Sequence, residues 1–92
     1  MMIDSLKLWL ELISSNKNNS FTHWQIDVVI SEFIGERLFL DNHLNLKLYP
    51  LLLALKDKYK THNHKALIAK FALGIIEEFE ADQKAKMELD IF

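Results

Sequence analysis

The stretch His43-Leu44-Asn45-Leu46-Lys47-Leu48-Tyr49-Pro50-Leu51-Leu52 carries two competing patterns, and the choice between them decides the fold class. Residues 43 to 48 alternate polar and apolar, as a half-buried strand does. Leu44, Leu48, Leu51, Leu52, Leu55 and Tyr59 meanwhile recur at i, i+4, i+7, i+8, i+11 and i+15, the stripe of an amphipathic helix. The helical pattern is the longer one, so it governs. Pro50 lacks an amide hydrogen and crowds the turn before it, which suits a first turn, where the amides have no internal partner anyway. The spacing therefore predicts a helix from about 47 to 60, with 43 to 46 extended or loosely turned. A hairpin with 37 to 40 is disfavoured, because the apolar faces would not match across Asp41-Asn42.

Working outward, Phe21-Thr22-His23-Trp24-Gln25-Ile26 is the sharpest local signal in the chain. Thr22 with Gln25 three residues on makes a capping box, and Phe21 with Ile26 makes a hydrophobic staple. A helix starts there and is expected to reach about Leu40. It has Ile26, Val29, Ile30, Phe33 and Ile34 on one face and Trp24, Val28 and Phe39 on another. Upstream, Leu6, Trp9, Leu10 and Ile13 form a helical stripe with Asp4 or Ser5 placed to cap it, while Leu8 and Leu12 widen the apolar arc. Downstream, Asn63 is placed to cap a helix whose stripe is Leu67, Ile68, Phe71, Ala72, Ile75, Ile76 and Phe79. Lys70, Glu77 and Glu80 take its wet side, and Glu80 with Lys84 makes an i+4 ion pair. That helix continues through about Lys86, before a tail ending in Ile91 and Phe92 that docks on a core or frays.

These patterns predict one all-α domain over residues 1–92, a compact bundle of about four helices joined by connections at 14–21, 41–46 and 61–63. The composition agrees. Ninety-two residues with 50% apolar content and a net charge of -2 are too short for two cores and too apolar for a disordered chain. No apolar run is long enough to span a bilayer, and Asp4 stands where a signal peptide wants a cation, so the expected address is cytoplasmic.

Candidate chemistry is sparse. The chain has no cysteine, which closes thiolate catalysis, disulfides and Cys-type zinc sites. His62 and His64 form an H-x-H pair, with His23 or His43 as a further candidate ligand, but a turn does not present both rings to one ion. None of Ser5, Ser14, Ser15, Ser20 and Ser31 sits in a G-x-S-x-G elbow. Gly35 and Gly74 stand alone and build no phosphate loop; Gly74 is read as a point of close helix approach. Glu32 with Glu36, and Glu77, Glu78, Glu80 and Asp82, read as solvated faces rather than as acid/base pairs. No enzyme activity, cofactor or metal is expected.

What remains is apolar surplus. Sixteen leucines, nine isoleucines, six phenylalanines, two tryptophans, two tyrosines and two valines exceed what a domain of this size readily hides. Leu8, Leu12, Trp24, Val28, Phe39 and Leu53 lie off the main stripes and are the candidate protein interface. The expected function is a non-catalytic protein-protein interaction module: an adaptor, inhibitor or regulatory subunit, homodimeric or covering another protein. Two alternatives stand beside it. Lys56, Lys58, Lys60, Lys65 and Lys70 make the 56–70 segment locally basic, as a small nucleic-acid-associated regulator would need. In the second, Trp9, Trp24 and Phe39 enclose a pocket for an apolar ligand.

Overall fold

Four helices carry the chain: α1 (Met2–Ser15), α2 (His23–Gly35), α3 (Asn42–Leu55) and α4 (His62–Ile91). The computed structural model describes residues 2–15, 21–35 and 42–91, with the side chains of all of these except Met2, Asn42 and residues 88–91. No strand occurs among the described residues. Phe39, Arg37 and Glu36 lie outside the described residues, as does the stretch proposed above to extend the second helix to Leu40.

The start of α2 is built as its sequence requires. The Thr22 amide donates to Gln25 Oε1 at 2.9 Å and the Gln25 amide donates to Thr22 Oγ1 at 3.1 Å, so both arms of the capping box are closed. The other helix starts differ from expectation. α1 begins at Met2, which puts Asp4 inside the first turn, where its charge complements the helix dipole, rather than at the cap. α4 is capped by Thr61, not Asn63: the His64 amide donates to Thr61 Oγ1 at 3.1 Å and the Lys65 amide to the Thr61 carbonyl at 3.0 Å. Thr61 can serve because the chain arrives from a tight turn. There the Lys60 amide donates to the Asp57 carbonyl and the Tyr59 amide to Asp57 Oδ1.

α3 starts at Asn42 and ends at Leu55, so 43 to 46 are helical and Pro50 lies in the helix interior. An interior proline costs about 3 kcal/mol. Starting the helix early buries Leu44 and completes the stripe Leu44, Leu48, Leu52 and Leu55, each worth roughly 1.5 to 3 kcal/mol when removed from water. Burial of Leu44 alone is of the same size as the break. Pro50 sits on the exposed side, where water can reach the Leu46 carbonyl that its ring leaves without a donor.

α4 is the spine. Its 30 residues span about 45 Å, close to the 49 Å longest dimension of the molecule, while the 14-residue α1 and α3 span only about 21 Å. α1 and α3 both pack along it; α2 leans on α3 and meets α1 and α4 only narrowly. The face that α4 gives to the core is Ala66, Ala69, Ala72 and Ile76. It is turned by roughly a quarter of the circumference from the stripe of large residues read above. Ile68, Ile75 and Phe79 remain at its edge, while Leu67 and Phe71 point outward. Against the alanines pack Leu6, Leu10 and Ile13 of α1 and the α3 leucines, with Ile26 and Ile30 of α2 completing the cluster. Further along α4, residues 81 to 87 are all exposed.

Gly74 is not a close-approach glycine, since a Cβ built there meets nothing within 4 Å. Gly74→Ala is therefore expected to stabilise the fold by about 0.5 to 1 kcal/mol, read as a higher urea midpoint at unchanged slope. Ala69→Leu should do the reverse, because it inserts bulk into the closest helix contact. A loss of about 1 to 3 kcal/mol is expected by the same measurement.

Candidate functional site

Two features of the molecule stand apart from ordinary packing: an outward apolar face on every helix, and a polar junction where α2 and α4 begin.

The outward faces follow from the helical period. In α1, Leu8 and Leu12 lie opposite Leu6 and Leu10, and both are exposed. In α2, Trp24 is 72% exposed and Val28, one turn on, is exposed beside it. In α4 the outward pair is Leu67 and Phe71. The richest of these faces belongs to α3, where Leu46, Tyr49, Pro50 and Leu53 all lie opposite the buried leucines, with Leu46 74% exposed. α3 carries no aspartate or glutamate, and its only lysine, Lys47, lies off that face. Five of the six residues read as a candidate interface, Leu8, Leu12, Trp24, Val28 and Leu53, are thus exposed; the sixth, Phe39, lies outside the described residues. Sequence reasoning missed Leu46, Tyr49, Leu67 and Phe71. Leu46 and Tyr49 were hidden by the misplaced start of α3, and Leu67 and Phe71 by the assumption that α4 buries its largest residues.

The lysine cluster does not form one surface. Lys65 is completely buried, with its Nζ lacking any hydrogen-bond partner, and so offers nothing to a phosphate. Lys56 lies 3.8 Å from Asp27 Oδ1, Lys58 reaches over the Tyr59 ring, and Lys58 and Lys70 are exposed. Of the apolar pocket expected between Trp9, Trp24 and Phe39, Phe39 lies outside the described residues. Trp9 packs on Phe21, ring centroids 5.6 Å apart, while Trp24 faces outward. A shallow groove of about 200 Å³ does lie between α3 and α4, but it is lined by His43, Lys47, Glu78, Asp82 and Lys86 together, a mixture with no preference for either sign of charge. Glu80 reaches across to Lys7 at 2.7 Å, joining α4 to α1 instead of pairing along its own helix.

The H-x-H pair is also divided. His64 is exposed, whereas His62 turns inward and stacks on His23 with ring centroids 4.4 Å apart. No group of three or more histidine, aspartate or glutamate side chains suited to a metal occurs among the described residues. His62 Nε2 lies 2.6 Å from the Phe21 carbonyl oxygen. Because a carbonyl can only accept, Nε2 carries the hydrogen and Nδ1 of the neutral ring is bare. His23 Nδ1 is buried and has no partner. Burial first, then the charge of Lys65 and the nearness of His62, hold His23 below the usual imidazole range. Lys65 is likewise pulled below the usual ammonium range by burial, against a smaller opposing pull from Asp57 and Asp27. No helix of the described residues is long and apolar enough to cross a membrane.

Comparison with protein-family models, with curated proteins and with solved structures produces no match.

A buried amine without a partner destabilises the folded state. Lys65→Met keeps the aliphatic bulk and removes the unsatisfied donor, so it is expected to raise stability by about 1 to 3 kcal/mol at pH 7. The pH dependence has a definite sign. With a folded pKa below the unfolded 10.5, Lys65 penalises the fold fully at low pH, and the penalty fades as pH rises toward 10.5. The advantage of Lys65→Met in urea titrations should therefore shrink between neutral pH and pH 10.

Proposed function

We propose that this chain is a non-catalytic protein-protein interaction module that pairs with a second copy of itself through the outward face of α3. The observation that carries the reading is that α3 is apolar on both sides. A helix of that kind belongs in an interior, and the fold supplies an interior for only one of its faces. Leu46, Tyr49, Pro50 and Leu53 present apolar and aromatic groups without a carboxylate on the helix, the charge-depleted composition found at interface cores.

A second copy is the partner this face suits. In a two-fold contact each residue near the axis meets its own counterpart, so a charged centre would oppose like to like. An uncharged centre carries no such penalty. Docking would also enlarge the interior of a 92-residue domain, which is short of core for its number of large apolar side chains. Leu8 and Leu12, Trp24 and Val28, and Leu67 and Phe71 remain as further apolar faces on which such a pair acts as an adaptor, inhibitor or regulatory subunit toward another protein.

Sedimentation equilibrium across the micromolar range provides the test. A dimer is expected, and Leu46→Glu with Leu53→Glu should weaken it at least about a hundredfold, close to 3 kcal/mol, while far-ultraviolet circular dichroism stays unchanged. A monomer at every concentration overturns the reading. So does a dimer indifferent to the double substitution, which would move the seam away from α3.

A further inference from the structure

His23 opens α2 and His62 opens α4, so the stacked pair joins two helix amino-terminal ends. We propose that this stack is a proton-operated latch, holding the start of α2 against α4 while His23 is neutral and releasing it when His23 takes up a proton.

The junction is built for uncharged rings. The positive end of each helix dipole disfavours a cation in its first turn, and here two such ends meet. His62 is committed through Nε2 to the Phe21 carbonyl, which ties the chain entering α2 to α4. A proton added at His23 Nδ1 would create a buried N–H with no acceptor, since that atom has no partner. The titratable and charged groups around the junction offer no relief. On α4, one turn past His62, Lys65 is a buried amine. On α2 itself, Asp27 accepts from Ser31 Oγ at 3.3 Å and lies 3.8 Å from Lys56 Nζ. On the turn after α3, Asp57 accepts from the Tyr59 amide. The depressed pKa of His23, caused first by burial and then by Lys65 and His62, has the sign that this arrangement requires.

The mechanical consequence follows from how α2 is held. It leans on α3 and meets α4 only narrowly, so the histidine stack with the His62 to Phe21 bond is a principal tie between α2 and α4. Released imidazoles in water titrate near 6.5. Below that value the open form binds a proton that the closed form refuses. The open-to-closed ratio should then rise roughly tenfold per pH unit, until the closed form also protonates. The carboxylates ordinarily titrate near 4, so the window from pH 7.5 to 5.5 isolates the histidines.

The chain's two tryptophans give a local reporter, because Trp9 packs on Phe21, the residue that His62 tethers. In a Trp24→Phe background the emission of Trp9 is expected to shift reversibly to the red between pH 7.5 and 5.5, with helicity by circular dichroism unchanged. Adding His23→Phe keeps a stacking ring but removes the titrating group, and should abolish the shift; His64→Gln, on an exposed ring, should preserve it. No shift in the parent, a shift that survives His23→Phe, or a shift that coincides with loss of helicity overturns the proposal. Should His23→Phe fail to fold, histidine ring titration by nuclear magnetic resonance in the unmodified chain decides instead. One ring titrating well below the others supports the latch, and four rings titrating alike overturn it.

Discussion

The close approach of two leucine-rich helices to the alanine face of α4 is the constraint from which the rest of the structure follows. Ala69 and Ala72 are fully buried and carry almost no side-chain volume, so the backbone of α4 can approach α1 and α3 together. The leucines of those two helices then fill the space that larger α4 residues would otherwise occupy. Interiors pack to a fixed density, so two flanking helices with large side chains demand small ones between them. Seen this way, α4 does not bury its most hydrophobic face; it buries the face that fits.

That choice propagates outward. With alanines at the centre, Leu67 and Phe71 are turned to the surface, and Lys65, near the same azimuth as Ala69 and Ala72, is carried into the interior although it is charged. The buried amine and the exposed aromatic are two results of a single helix rotation. α3 compounds the surface effect, because its sequence is apolar almost all round and the α4 contact uses only one side. A dimer through the outer side of α3 would give Leu46, Tyr49 and Leu53 the second interior that their composition implies. α1 and α2 follow the same rule with smaller outward pairs, so the surplus surface is shared by every helix rather than confined to one strip.

Much of this was legible in the residue order, and the losses have physical causes. The capping box at Thr22 and Gln25 could be read because it depends on only four consecutive residues. The buried stripes of α1 and α2 could be read because their large apolar residues recur at helical spacing, although each helix carries a second apolar face. The start of α3 could not, since locally Pro50 belongs in a first turn, and only the burial of Leu44 in the core, a long-range gain, offsets that preference. The α4 face was misread for a similar reason: periodicity ranks residues by hydrophobicity, whereas the core selected them by size. Thr61 replaced Asn63 as cap because the Asp57 turn delivers the chain two residues early. Leu8, Leu12, Trp24, Val28 and Leu53 could be set apart in the sequence because they lie off the main stripes, and all five are exposed. The meeting of His23 with His62, 39 residues apart, had no local signal; it arises only once α2 and α4 are laid side by side.

The two unusual features converge on α2. It is the helix least embedded in the bundle, it begins at the histidine junction, and the residue after His23 is the outward-facing Trp24. Any displacement of the start of α2 that accompanies protonation of His23 must therefore carry Trp24, and with it Val28, across the molecular surface. Coupling of this kind is reciprocal: a protein that binds the Trp24 face only when α2 is seated on α4 must lower the proton affinity of His23 by the same free energy with which the proton weakens its own binding. The energetic scale is bounded by the difference in proton affinity between the seated and released ring, so it needs no motion of α1, α3 or the alanine contact. A rigid core and a loosely seated helix can thus coexist in one small bundle, because α1 and α3 make the broad contacts with α4, while α2 joins the core through Ile26 and Ile30 and meets α4 only narrowly.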